Sequence, residues 1–216
     1  MKFPYIKDIS HTEKMRVKSY PIIYKSMEPR IITAPMTARW IEEIPEIGKR
    51  LPENCLLDKG ITGCGATSLA ITNDRSTLIA APTVNLIKNK MQAHPDLLGD
   101  YGGVTNQEIA DYLKTHDCWK IMATYDAIPR VADVVGAEIY SKAFLLVDEY
   151  HRLLFDYSFR NHAITGLLEQ APRFASKTYL SATPIGQEFL LDELQSIPQV
   201  KIIWPSAVPM QVRLWK

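Results

Sequence analysis

Three short stretches of this chain carry side chains whose types and spacing can act on a phosphate group. The first is Gly60, Ile61, Thr62, Gly63, Cys64, Gly65, Ala66, Thr67 and Ser68. A glycine-bounded loop with this spacing can turn its backbone N–H groups inward, and only small residues let the backbone come so close to phosphate oxygens. The seventh position, where a phosphate-binding loop carries lysine, is Ala66, and Thr67 has the hydroxyl that would meet a metal ion. A charge-assisted lysine hydrogen bond is worth about 1.5–3 kcal/mol, so its loss would weaken nucleotide binding roughly ten- to a hundredfold. A glycine-rich strand-to-helix turn with no ligand accounts for the same loop equally well.

The second stretch is Asp148, Glu149, Tyr150 and His151, which follows an apolar run ending at Val147. An aspartate at the tip of a buried strand can hold magnesium, and the next carboxylate can orient or deprotonate an attacking water. The same two acids could also merely cap a helix. The third stretch is Ser181, Ala182 and Thr183 before Pro184. Its hydroxyls could hydrogen-bond the acids and sense their state, or could do no more than close a strand before proline.

The elements that must position these residues can be read from apolar runs. Strands are expected at 55–59, 77–81, 119–124, 143–148, 177–182 and 200–204, and helices near 67–73, 84–92, 106–115, 125–135, 158–170 and 187–196. Continuous rather than alternating apolar runs imply a sheet covered on both faces. The expected fold is therefore α/β: three layers, with a mainly parallel sheet flanked by helices. In such a sheet the ligand lies beyond the carboxyl ends of the strands, where all three stretches fall. Residues 1–50 are expected to be an extended segment with a helix over 38–49, interrupted at Pro45, with Trp40, Ile41, Ile44 and Ile47 on the face that packs on the lobe. The lobe itself would span 51–204, and 205–216, with Pro205 and Pro209, would be an extended linker.

Composition excludes several classes. With 25 Lys and Arg against 24 Asp and Glu, the net charge of +1 leaves any polyanion site to a local patch. Three scattered cysteines, Cys55, Cys64 and Cys118, make neither a disulfide framework nor a zinc ribbon, which fits a reducing compartment. The opening residues lack the apolar run of a secretory signal, and no stretch approaches the roughly 20 apolar residues of a membrane helix, so a cytoplasmic protein is expected.

Taken together and in this order, the three stretches resemble the first motor lobe of superfamily 2 helicases of the DExH type, a RecA-like P-loop NTPase lobe. The resemblance spans roughly residues 30–216. It also rests on Ala81, Pro82 and Thr83 after the second expected strand and Ala123, Thr124 and Tyr125 after the third. It implies that Gly60, Thr62, Gly63, Cys64, Gly65, Ala66, Thr67 and Ser68 embrace the phosphates of ATP, and that Thr67 and Asp148 hold Mg2+. Glu149 would activate water, and His151 with Ser181, Ala182 and Thr183 would couple nucleotide state to strand binding. Pro82, Thr83, Asn85, Lys88, Thr124 and Tyr125 would contact one nucleic-acid strand, with DNA expected ahead of RNA. A second RecA-like lobe, in a longer chain or in trans, would complete the site. Ala66 departs from the family pattern and implies weak or absent hydrolysis. The alternatives are a pseudo-helicase that binds or scaffolds nucleic acid without catalysis, and a phosphate-loop kinase.

Other residues are weighed more briefly. Lys59 precedes the loop and could reach back to a phosphate, but it lies seven residues before Ala66 and is expected to point away along the strand. Lys88 and Lys90 could line a phosphate-backbone track or simply form a solvated helix face. Tyr101, Trp119 and Tyr125 are candidate stacking platforms. Cys64 lies where a helix start could depress its thiol pKa. No adenine-reading glutamine precedes the loop, since the first glutamine is Gln92.

Overall fold

Burial explains where the strands form. In β3 (Thr77–Ala81), β5 (Lys120–Thr124) and β6 (Phe144–Asp148) every residue is buried, as continuous apolar runs require. These strands sit inside a sheet completed by β1 (Arg30–Thr33), β2 (Cys55–Asp58), β4 (Leu98–Asp100), β7 (Ser176–Ser181) and β8 (Gln199–Ile203). The computed structural model describes residues 28–207. Among them the strand order is β1-β8-β2-β7-β6-β3-β5-β4, and every pairing is parallel.

Two apolar layers sandwich the sheet. On one face, α1 (Ala66–Thr72) and α2 (Val84–Ala93) bury Leu69, Ala70 and Ile87 against Leu57, Ile79 and Leu146. On the other, α3 (Asn106–Thr115), α4 (Ile128–Val135), α5 (Ile139–Lys142), α6 (His151–Phe155), α7 (Tyr157–Gln170) and α8 (Asp192–Gln195) cover Leu56, Leu78 and Leu145. Each fully buried Leu or Ile stabilises the fold by roughly 1.5–3 kcal/mol, which is what holds a sheet with no covalent staple together. The three-layer parallel architecture is the expected one.

Local expectations need correction in several places. No helix forms over 38–49; a 3-10 turn at Ile41–Glu43 is followed by further turns. Ile41, Ile44 and Ile47 are buried as their spacing suggests, but Trp40 is half exposed and leaves their face. The residues from Arg30 to Thr33 do not merely lie on the lobe: they pair with β8 as the edge strand of the sheet. The helix foreseen at 125–135 begins instead with a 3-10 turn at Tyr125–Ala127, and that at 187–196 reduces to a 3-10 turn at Gln187–Phe189 and the single turn of α8. β4 was missed because it is three residues long with Gly99 at its centre, where a Cβ would run into Met91 and Ile87. The expected segment before residue 28 and most of the expected linker after 204 lie outside the described residues.

Candidate functional site

Strand order brings the chemistry together. β7 lies between β2 and β6, with Asp58 level with Ser181 and Asp148 level with Leu180, so three of the four central strands end side by side. The segments that follow β2 and β6, with Trp40 and with Leu86 and Lys90 of α2, line a cleft of about 340 Å³, and the segment after β7 lies beside it without lining it.

The turn out of β2 is rigidly held. Gly60 has φ of +74°, and a Cβ there would lie 2.5 Å from the Ile202 carbonyl oxygen and 2.9 Å from the Trp204 ring. The Lys59 carbonyl accepts from the Ile61 N–H at 2.8 Å and from Trp204 Nε1 at 2.8 Å. The Lys59 N–H donates to the Ser181 carbonyl at 2.8 Å, continuing the ladder one residue beyond β2. Lys59 therefore keeps the strand pleat, and alternate side chains share a face. Cys55 and Leu57 face α1, and so does Lys59.

This overturns the expectation that Lys59 points away. Its side chain is 8% exposed, its Nζ lies 2.8 Å from Glu149 Oε1 and 3.9 Å from Asp148 Oδ1, and it lines the cleft. Burial pulls its pKa down, but the two carboxylates more than offset this and leave it above the ordinary lysine value. The loop residues Thr62, Gly63, Cys64, Gly65, Ala66, Thr67 and Ser68 line the same cleft, while Gly60 does not line it and packs instead against Ile202 and Trp204. Gly65, at φ +85°, starts α1, and a Cβ on it would come 3.2 Å from the Trp40 ring, which walls the cleft. Cys64 is buried, and burial raises its thiol pKa rather than depressing it.

The acids are held from below and from both sides. Asp148 is 2% exposed. Its Oδ2 accepts from Thr67 Oγ1 at 2.8 Å, while its Oδ1 has no hydrogen-bond partner. Burial raises its pKa against the pull of Lys59 and Thr67. Lys59 and Asp148 are thus both shifted upward, which is consistent because the closer partner of Lys59 is Glu149. Glu149 takes φ +52°, a left-handed conformation that costs a residue with a side chain about 1–2 kcal/mol. From there its Oε1 meets Lys59 and its Oε2 lies 3.3 Å from His151 Nδ1. His151 Nδ1 is 2.9 Å from Ser181 Oγ and 3.1 Å from Thr183 Oγ1, and the Thr183 N–H donates to Ser181 Oγ at 2.9 Å across Ala182. Burial lowers the pKa of His151 against the opposite pull of Glu149, favouring the neutral ring.

Mg2+ suits this donor set. Among the described residues no three His, Cys, Asp or Glu side chains cluster as a metal cage. Magnesium in phosphoryl-transfer sites needs only one or two side-chain oxygens beside phosphate and water. The Thr67 hydroxyl and the unpartnered Asp148 oxygen meet that requirement.

The residues assigned to nucleic acid divide into two groups. Thr83 caps α2, accepting from the Leu86 N–H, and Thr83, Asn85 and Lys88 are exposed. Pro82, Thr124 and Tyr125 are buried. The Tyr125 ring is fully enclosed and its hydroxyl donates to the Asp148 carbonyl at 2.7 Å, so it braces the acid strand and offers no stacking surface. Trp119 is 9% exposed and belongs to the core. Lys88 and Lys90 do not form one track. Lys88 sits 5.3 Å over the Tyr101 ring, whereas Lys90 Nζ is 2.8 Å from Ser68 Oγ and lines the cleft, with burial lowering its pKa.

Sequence reasoning missed Arg160. It reaches the Pro82 carbonyl at 2.9 Å and Asp126 Oδ2 at 2.6 Å, tying together the loops after β3 and β5. It does so where α7 departs from helical geometry, at φ −129°, which nothing in the sequence pattern marks.

Comparison of the sequence with protein-family profiles and with curated proteins finds no match. Among solved structures the chain is similar to the crystal structure of the Pyrococcus furiosus Hef helicase domain, with a TM-score of 0.50 and 16% sequence identity. The likeness covers 72% of this chain and 36% of that one, so this chain spans little more than a third of its neighbour's length. At such identity the likeness speaks for architecture. The described part of the chain has a RecA-like α/β fold, the architecture it shares with that domain.

Proposed function

We propose that this chain is the ATP-binding lobe of a nucleic-acid-dependent motor of the superfamily 2 DExH type. The observation that carries the reading is the Asp148 carboxylate, buried beside the Thr67 hydroxyl at the edge of a glycine-rich loop, with one oxygen that accepts no hydrogen bond and lies 3.9 Å from the Lys59 ammonium. A buried carboxylate oxygen that accepts no hydrogen bond is costly, and a site that must receive a cation explains why it persists.

In this reading the loop from Thr62 to Ser68 receives the phosphates, and Thr67 and Asp148 hold Mg2+. When bound, the ion neutralises charge developing on the phosphoryl oxygens. Glu149 orients the attacking water and accepts its proton. The contacts from Glu149 through His151 to Ser181 and Thr183 carry the state of the acid pair to the next loop. Thr83, Asn85 and Lys88 offer exposed groups to a single nucleic-acid strand, with DNA as the first candidate. A second lobe supplies the remaining charge stabilisation, so this chain alone hydrolyses ATP slowly.

The test is a titration of the 216-residue chain with a fluorescent ATP analogue, with and without magnesium. Saturable binding that magnesium tightens is expected, and Asp148→Asn should erase the magnesium effect while leaving the protein folded. A folded wild-type protein with no saturable binding at millimolar nucleotide would overturn the reading.

A further inference from the structure

We propose that Lys59, on the amino-terminal side of the glycine loop, supplies the phosphate-binding cation that Ala66 cannot. The inference rests on the nucleotide reading above and concerns which residue replaces the missing charge.

Position 66 has no reach: its methyl group is 3% exposed at the start of α1. The ammonium of Lys59 approaches the same cleft from the other end of the loop. Its backbone is fixed by three hydrogen bonds, from its N–H to Ser181 and to its carbonyl from Ile61 and Trp204, so only the side chain can move. That side chain pairs with Glu149 at 2.8 Å and lies 3.9 Å from an Asp148 oxygen that has no hydrogen-bond partner. Without a divalent cation, two adjacent carboxylates need one positive partner, and Lys59 provides it. A divalent cation arriving at Asp148 removes that need and repels the ammonium, while a polyphosphate in the loop attracts it. Lys59 is thus a counter-ion for the acids in one state and for phosphate in the other. The ligand class is a nucleoside triphosphate carrying a divalent cation. Lys90, held on Ser68 at 2.8 Å, flanks the opposite wall but touches neither acid.

The competing explanation is that Lys59 only neutralises the acid pair. Competition binding with the 216-residue chain separates the two, using magnesium-ATP, AMP and inorganic tripolyphosphate as probes. Lys59→Met should weaken ATP and tripolyphosphate roughly ten- to a hundredfold and narrow the gap between ATP and AMP affinity. Lys59→Arg should recover much of the loss, and moving the charge in Lys59→Met with Ala66→Lys should restore binding. Unchanged or tighter ATP binding by folded Lys59→Met would overturn the proposal, because a purely neutralising lysine competes with magnesium. If Lys59→Met does not fold, Ala66→Lys alone decides. A site already supplied with a cation gains less than about threefold in ATP affinity, and a gain of tenfold or more would show that Lys59 does not fill the role. Absence of ATP binding by the wild-type chain would instead refute the nucleotide reading itself.

Discussion

Replacing Gly60 and Gly63 by alanine, one at a time, measures how tightly the entry to the loop is held. Both glycines have φ of +74°, so each alanine carries the same left-handed penalty of about 1–2 kcal/mol. Their surroundings differ. The new methyl at 63 meets nothing within 4 Å, whereas at 60 it lies 2.5 Å from the Ile202 carbonyl oxygen and 2.9 Å from Trp204. Backbone oxygen cannot swing aside as a side chain can, and overpacking of this kind typically adds about 1–3 kcal/mol. Gly60→Ala should therefore be the more destabilising by about 1–3 kcal/mol. With a urea m-value of about 2 kcal/mol/M that is a midpoint lower by roughly 0.5–1.5 M at unchanged m. Because Trp204 also holds the Lys59 carbonyl, the same change should displace Lys59 and weaken nucleotide binding. Equilibrium urea unfolding followed by circular dichroism reads the first effect, and fluorescent-nucleotide titration the second. Equal midpoints for the two variants would refute the close approach of β8 to this turn.

Burial pushes the Cys55 thiol up to about 12 and raises that of Cys64, while Cys118 is exposed. At pH 8 a thiol with a pKa of about 12 is ionised to about one part in ten thousand, so a chromogenic disulfide should titrate one fast thiol, and two or three would contradict the packing. Burial lowers the pKa of His151, so the unfolded chain takes up this proton more readily than the folded one. The associated stability is complete above the ordinary imidazole value of about 6.5 and is lost as pH falls through it toward the lower folded value. Urea midpoints between pH 7.5 and 5.5 should accordingly fall more steeply for wild type than for His151→Gln, and parallel profiles would contradict the partly buried neutral ring.

The central strands were legible because burial on both faces leaves an unbroken apolar run, as in 77–81 and 143–148. The edges were not: β1 buries only Ile32, and β4 has a glycine where a side chain would signal a strand. The spacing of Ile41, Ile44 and Ile47 marked residues that do enter the core, but a helix-like period can also be satisfied by successive turns around Pro45. At the candidate site, the loop and the acid pair line one cleft, and the two hydroxyls stand beside it, joined to Glu149 through His151. The orientation of Lys59 was readable too, since Cys55, Leu57 and Lys59 alternate through the expected strand 55–59. Counting residues back from Ala66 hid that pleat. Arg160 and the inward turn of Tyr125 depend on tertiary contacts that no local pattern carries.

The pairing of β1 with β8 aligns Arg30 with Val200, 170 positions apart, and β8 is also the strand that separates β1 from β2. At the usual 5–20 residues per second, a ribosome needs on the order of ten seconds or more to deliver that partner. Through this interval the first strand stays an unpaired edge, and the Trp204 clamp on Lys59 is not yet made. The cleft beside the glycine-rich loop is consequently among the last parts of the fold to mature during synthesis, and such long-range parallel closure belongs to the slow end of folding.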